Sequence, residues 1–125
     1  MCSSDLMADY VDVFVLPVPR SRLDDYRKLA ELGARVWMDA GALTYAEYIA
    51  DDAKPGKHTS FPQSVDLKDG ETVVVSVITY RSRAHRDEVN AKAMADQRLN
   101  DCDPKNMPFD GLRMFWGGFA PFVSA

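Results

Sequence analysis

The sequence predicts an α+β domain whose elements run in the order strand, helix, strand, strand, helix, strand. Two observations carry this prediction. Two stretches repeat apolar residues at helical spacing, and four other segments are rich in β-branched and aromatic residues. A chain of 125 residues is long enough to bury one hydrophobic core but short for two. We therefore expect a single domain.

The first strand is predicted from Tyr10 to Val18, where the residue types alternate with a period of two, and Pro17 and Pro19 are expected to stop it. A helix is predicted next, with Ser21 as its N-cap and Gly41 as its left-handed end. The apolar stripe between these two residues is Leu23, Tyr26, Ala30, Gly33, Trp37 and Ala40. Its alternating spacings of three and four residues are typical of a helix that packs on one side.

Two more strands are predicted between the first and the second helix. Leu43 to Ala50 is short and aromatic, which favours a strand over a helix. Asp51 to Gly70 contains several turn residues and is predicted to be a long irregular connection. Thr72 to Arg81 is the strongest strand and is apolar on nearly both faces, as expected for a central strand.

A second helix and a fourth strand complete the predicted domain. Ser82 is placed to cap the helix that follows it. The last strand is predicted from Leu112 to Val123. Within it, the Gly117-Gly118 pair indicates a bulge or a close approach of another group to the backbone.

This order of elements is the split βαβ arrangement of the ferredoxin-like fold, in which a four-stranded antiparallel sheet carries two helices on one face. Valines and aromatic residues occupy both faces of the first, third and fourth strands. Two helices on one side cannot cover both faces. We therefore expect a homodimer through the open sheet face, forming a dimeric α/β barrel with a cavity between the sheets. An unrelated partner protein is the alternative cover.

Composition argues against several function classes. A net charge of −4 makes nucleic acid an unlikely partner, because phosphate backbones are bound mainly by Lys and Arg. No apolar run approaches the roughly 20 residues of a membrane span, so no membrane association is expected. Two cysteines without a CxxC pair suggest a cytoplasmic protein. The sequence shows no nucleophile or nucleotide motif and no metal-ligand spacing, so we expect no cofactor and no metal.

The first six residues, Met1-Cys2-Ser3-Ser4-Asp5-Leu6, have neither the basic segment nor the apolar segment of a secretory signal. The end of a common sequencing adapter, read after a GTG start codon, translates into this hexapeptide. We therefore expect residues 1–6 to be a non-native leader, and residues 7–125 to form the domain with Met7 as the native start.

The most concentrated polar group in the sequence lies at the start of the second predicted helix. The free backbone N–H groups of a helix N-terminus favour an anion, and Arg81, Arg83 and Arg86 could supply the positive charge. The same field favours a neutral imidazole on His85, which could then act as a base. The structural alternative is an ordinary capped helix with solvated arginines.

Other candidate site residues are spread along the chain. His58 lies in the long connection and could face a cavity mouth, although a surface position is the alternative. Asp110 and Arg113 could bind a ligand, or pair with each other or with the region around His85. The structural alternative is that Asp110 ends the loop and Arg113 forms an ion pair at the dimer interface. Aromatic residues could line an apolar ligand pocket or simply form the core or the dimer interface. These residues are Trp37, Tyr45, Tyr48, Phe61, Phe115 and Trp116.

Four segments together resemble a known family. They are YVDVFVLPVP, PGKHTSFPQSVDLKDGETVVVS, SRAHRDEVNAKAM and PFDGLRMFWGGFAPFV, and they span nearly the whole chain. The sequence is similar to the domain-of-unknown-function family 1428, the YbaA-like bacterial proteins. The resemblance implies a dimeric α/β-barrel fold and lends no reaction.

Three functions are compatible with these features. The first is a homodimer that binds a small molecule, with a small organic anion as one candidate. The second is a cofactor-independent enzyme resembling monooxygenases or isomerases, with His85 or His58 moving a proton and Arg86 or Arg113 holding the substrate. The third is a structural or stress-related interaction module in which the same residues only stabilise the fold.

Overall fold

The structure is a computed structural model that describes residues 9–125, so the expected leader at residues 1–6 lies outside the described residues. Four antiparallel strands form one sheet in the order β2-β3-β1-β4. The strands are β1 (Tyr10–Pro19), β2 (Thr44–Ile49), β3 (Glu71–Tyr80) and β4 (Phe115–Phe119). This sheet confirms the predicted α+β class and is consistent with the ferredoxin-like arrangement.

Two long helices and two short ones connect the strands. They are α1 (Leu23–Ala40), α2 (Phe61–Ser64), α3 (Arg83–Met94) and α4 (Gln97–Asn100). The order βαββαβ is confirmed for the long elements. The short helix α2 lies within the long connection that was predicted to be irregular, and α4 continues the chain after α3 ends. No helix within residues 9–125 is both long and apolar enough to cross a membrane.

The prediction that Pro17 stops the first strand is wrong. Pro17 is buried inside β1 and lies opposite Val73 of β3. The pairing of β1 with β4 ends at Val15, opposite Phe115. Beyond that point β1 has a partner on only one side, so a residue that lacks an N–H group leaves no ladder bond unmade there.

The helix ends follow the sequence signals with one exception. Gly41 ends α1 in a left-handed conformation with φ of 116°, and the Ser82 hydroxyl accepts the His85 N–H at the start of α3, as predicted. Ser21 does not cap α1. It lies in a 3₁₀ turn, and Arg22 occupies the N-cap position without a side-chain hydrogen bond.

The Gly117-Gly118 pair of β4 forms no bulge, because Gly117 and Gly118 pair in unbroken register with Val13 and Asp12 of β1. The predicted close approach is present instead. A Cβ atom on Gly118 would overlap the Tyr10 phenol, so a side chain at this position would displace that ring.

Both long helices pack on the same face of the sheet. Leu16, Val18 and Val74 form one core cluster with Tyr26 of α1. Ile78 and Tyr80 form a second cluster with Val89 of α3. The prediction of two helices on one face is therefore confirmed, and the even-numbered positions of β1 and β3 face the helices.

The opposite face of the sheet is only partly covered. Val65 and Leu67, from the connection between β2 and β3, pack over Val15 and Val73 at one end. Glu71 lies at the same end of this face and is paired with Arg113. The rest of the face carries uncharged side chains that remain partly or fully exposed. They are Val11, Val13, Thr44, Ala46, Tyr48, Val75, Val77, Thr79, Phe115 and Phe119. We call this set the open face.

Candidate functional site

A cavity of about 400 Å³ lies between the helical layer and the sheet. Its walls are mostly aliphatic, aromatic and sulfur-bearing side chains. The aromatic ones are Phe14, Tyr26, Trp37, Tyr45 and Phe109. Among the described residues that line the cavity, Glu47 is the only charged one and Ser76 contributes a hydroxyl group. The cavity is therefore an apolar chamber with one small polar region.

Three side chains form that polar region. The Tyr26 hydroxyl donates to Glu47 Oε1, and the Tyr45 hydroxyl donates to Glu47 Oε2 at 2.5 Å. Both oxygens of the carboxylate thus accept one phenol each, which is the pattern of an ionised carboxylate. Each oxygen has a second lone pair, so the group can still accept a hydrogen bond from a bound molecule.

Strand alternation and one glycine bring the three side chains together. Tyr45 and Glu47 are two residues apart on β2 and therefore point to the same side of the sheet, toward Tyr26 on α1. Gly33 of α1 provides the space for Tyr45, because a Cβ atom there would lie 3.1 Å from the Tyr45 hydroxyl oxygen. Glycine usually weakens a helix interior, and here it permits the phenol to lie against the helix backbone.

Burial raises the pKa of both Tyr26 and Tyr45, and the neighbouring Glu47 carboxylate raises them further. A phenolate beside this carboxylate would place two negative charges in an apolar environment. Both tyrosines therefore remain hydrogen-bond donors throughout the neutral pH range. The polar region presents a carboxylate that is held in place by two neutral phenols.

These shifts predict that the protein loses stability as the pH rises above about 10, the ordinary pKa of tyrosine. In that range the unfolded chain releases phenol protons that the folded protein keeps. The free energy of unfolding should then fall by about 1.4 kcal/mol per pH unit for each such tyrosine. Urea unfolding at about pH 9 and pH 11 should show a smaller loss for Tyr45→Phe than for the wild type. Tyr48→Phe, on the exposed side of the same strand, is the matched control, and an unchanged loss in Tyr45→Phe would contradict the assignment.

His85 lies at the predicted helix start but does not line the cavity. It is nearly buried, and its Nδ1 atom accepts the Arg81 N–H at 3.0 Å. The ring also packs edge-on against Tyr80. Arg81 and Arg83 are exposed. In this arrangement the imidazole closes the turn between β3 and α3.

Arg86 is engaged by protein groups. It is 8% exposed, and its Nη1 atom donates to Asp12 Oδ1 of β1 at 2.7 Å. Nε donates to Asp87 at 2.9 Å, and the guanidinium lies over the Tyr10 ring. Burial raises the pKa of Asp12, and the Arg86 charge opposes that shift. A ligand at Arg86 would have to compete with this buried ion pair.

Arg113 is bound in the same way by other protein groups. Its two terminal nitrogens donate to the carboxylate of Glu71 at 2.7 and 2.6 Å, and Nε donates to Asp110 at 2.8 Å. Nη1 also donates to the carbonyl groups of Val65 and Asp66. The guanidinium thus ties the segment before β4 to β3 and to the connection between β2 and β3. The Glu71 pKa is lowered mainly by this hydrogen bonding.

The remaining predicted residues lie in different places. Trp37 and Tyr45 line the cavity, while Tyr48 and Phe61 line a separate, smaller cleft. His58 is exposed. Phe115 and Trp116 lie on opposite sides of β4 and are each about half exposed. Across residues 9–125, no three His, Cys, Asp or Glu side chains are grouped as metal ligands would be.

Sequence reasoning did not single out Glu47 or Tyr26 as site residues. A signal for Glu47 was present in the alternation of the second strand. A carboxylate stands in the same alternation class as Leu43, Tyr45 and Ile49, where an apolar residue is the usual choice. A charged residue at a strand position that should face the interior can therefore indicate a polar group inside a cavity.

Comparisons with known proteins agree with the resemblance seen in the sequence. The family model described as "Protein of unknown function (DUF1428)" matches residues 9–111, which include the residues of the polar region and end before β4. The chain is 41% identical over 114 residues to the "Uncharacterized protein YbaA" of Escherichia coli strain K12, covering 91% of this chain and 97% of that protein. The protein of the same name from Shigella flexneri matches equally well. This chain therefore belongs to the DUF1428 family.

Proposed function

We propose that this protein binds a small, mostly apolar organic molecule in the cavity between sheet and helices. The observation that carries the proposal is an apolar cavity of about 400 Å³ whose polar groups are concentrated around Glu47. Ligand sites typically have this size and combine apolar walls with a few fixed polar groups. The two phenols hold the Glu47 carboxylate in one orientation. A carboxylate fixed in this way can accept a hydrogen bond from a ligand in a specific geometry.

The polar region favours a ligand that offers a hydrogen-bond donor. The Tyr26 and Tyr45 hydroxyl protons already point to Glu47, so the free capacity of the carboxylate is acceptance. A small organic anion, the class considered from the sequence, has less support. Arg86 and Arg113 are each paired with carboxylates, and neither lines the cavity.

A binding screen tests this proposal. Neutral ring alcohols such as 2-phenylethanol, cyclohexylmethanol and 2-naphthol place an apolar body next to one hydroxyl donor. A dissociation constant of about 0.1 mM at about 1 mM ligand would add about 1.4 kcal/mol of stability, which a thermal melt detects readily. We expect at least one of the three to raise the melting temperature. The proposal is wrong if none of them binds and no charged molecule of similar size binds in the cavity either.

Two cavity variants locate the bound probe. Ala30→Phe on α1 and Leu99→Phe after α3 both add volume to the lining, and each should weaken binding by about tenfold or more. Ala34→Phe introduces the same ring on α1 at a position that does not line the cavity and should bind normally. Probe binding that survives in both cavity variants would place the site elsewhere on the protein.

We also propose that the protein is a homodimer joined through its open face, giving a dimeric α/β barrel. The support is the chemistry of that face, which carries Thr, Ala, Val, Tyr and Phe side chains. The charged outward residue of its strands, Glu71, lies at the covered end and is paired with Arg113. An uncharged apolar face fits a second copy of itself across a two-fold axis without like-charge repulsion. Large exposed apolar patches of this kind mark interaction sites.

We further propose a cytoplasmic location. Cys102 is a free thiol that lines the cavity, and a reducing compartment preserves such a group.

A further inference from the structure

We propose that the cavity selects a cationic ligand, a small aromatic or aliphatic amine in its ammonium form, over neutral and anionic molecules of the same shape. This inference rests on the proposed ligand cavity and names the chemical class of its occupant. Two independent features of the lining carry it: a carboxylate with no counter-ion, and a wall rich in aromatic rings.

The first feature is the uncompensated charge of Glu47. Among residues 9–125, the carboxylate accepts from two neutral phenols, and no Lys, Arg or His lies within 4 Å of it as an ion-pair partner. Arg27 borders a neighbouring surface cleft that also touches Glu47, yet the two make no ion pair. The two phenols give this partly buried carboxylate hydrogen bonds but no positive charge, so an opposite charge would stabilise it further. An ammonium group would supply both the charge and up to three N–H donors.

The second feature is the set of aromatic side chains around the carboxylate. Five aromatic residues line the cavity, and the face of an aromatic ring attracts cations. Aromatic walls beside a carboxylate are the combination that recognises ammonium ligands in proteins, because the rings contact the alkyl groups while attracting the charge. The same rings would disfavour an anion, and no cationic side chain in the lining would offset that effect.

A series of three probes with one phenyl ring and different charges tests the inference. The probes are 2-phenylethylamine, which is an ammonium ion at neutral pH, 2-phenylethanol, which is neutral, and 3-phenylpropionate, which is an anion. Isothermal titration calorimetry at about pH 7.5 measures each affinity. We expect the amine to bind about ten- to a hundredfold more tightly than the alcohol, and the anion to bind more weakly than either.

Variants then assign the preference to the carboxylate. Glu47→Gln keeps the shape of the side chain and removes its charge, so the amine should lose its advantage and bind within about twofold of the alcohol. Glu31→Gln makes the same change at an exposed position of α1 and should keep the full preference. If Glu47→Gln does not fold, as judged by circular dichroism, the comparison of the three probes on the wild-type protein decides alone.

The possible outcomes separate this inference from the proposed function. Tight binding of the amine that depends on Glu47 supports both. Equal binding of amine and alcohol, or a preference for the anion, overturns the inference while the ligand cavity stands. An amine preference that is unchanged in a folded Glu47→Gln protein also overturns it. Failure of all probes, including the neutral ring alcohols, overturns both.

Discussion

Replacing Arg86 with methionine is expected to lower the free energy of unfolding by about 3–5 kcal/mol, which is a large part of the stability of a domain of this size. The substitution keeps a long apolar side chain and removes the charge. It leaves Asp12, which is 1% exposed, as a buried carboxylate without its ion-pair partner. The Oδ2 atom of Asp12 has no hydrogen bond among the described residues, and the neighbouring Tyr80 and Asn90 side chains carry no positive charge to replace the guanidinium.

The cost of Arg86→Met should depend on pH in a defined direction. Without the guanidinium, burial remains the strongest influence on Asp12 and raises its folded-state pKa above the unfolded value, while the Tyr80 and Asn90 side chains oppose that shift only in part. The unfolded chain then ionises first, so the variant becomes less stable as the pH rises from about 4 toward 7. Urea unfolding of variant and wild type at both pH values measures the difference.

Arg83→Met is the matched control for this prediction. Arg83 begins the same helix and is exposed, so its loss should change stability by no more than about 0.5 kcal/mol. The double variant Asp12→Leu, Arg86→Met replaces both charges with apolar groups and should recover most of the loss. If Arg86→Met and Arg83→Met have the same free energy of unfolding, the Arg86–Asp12 ion pair does not stabilise the fold.

The sequence predicted the elements of this fold because the signals for them are local. Glycine at position 41 and serine at position 82 end and begin helices through their own backbone and side-chain chemistry. Alternation and β-branched residues marked all four strands, with errors confined to their ends. The misjudged Pro17 is different. Whether a proline stops a strand depends on where a neighbouring strand ends, and that is a property of the assembled sheet.

The candidate site was harder to predict, because its residues come together only through tertiary packing. Tyr26 and Glu47 are 21 positions apart, and Asp12 and Arg86 are 74 apart. Arg86 and Arg113 were predicted from the sequence as candidate ligand-binding residues, and the fold pairs both with carboxylates. A sequence shows which charges exist. It does not show which of them the folded chain pairs and which it leaves facing a cavity.

A charge placed on the open face is expected to convert the protein from a dimer to a monomer. Val77 lies near the middle of that face, in a row that crosses the sheet through Ala46, Val13 and Gly117. In a face-to-face dimer, Val77→Asp would bury a carboxylate from each copy close to the two-fold axis. Burial without a counter-charge and repulsion between the two copies should weaken association by about a hundredfold or more.

Sedimentation velocity at about 0.1 mM protein measures the outcome. The wild type should sediment as a dimer of twice the 14.0 kDa chain mass, and Val77→Asp as a monomer. Phe119→Glu provides a second variant at the edge of the same face, where the side chain is 57% exposed and contributes little to the core of one chain. It should also dissociate the dimer even if Val77→Asp fails to fold.

Ala91→Asp adds the same charge to the exposed side of α3 and should leave the dimer intact. This control matters because a change in net charge alone alters the association of many proteins. A wild-type protein that sediments as a monomer would overturn the dimer proposal outright. A dimer that persists in both open-face variants would place the interface on another surface. The open face would then have to bind something else, such as an unrelated partner protein.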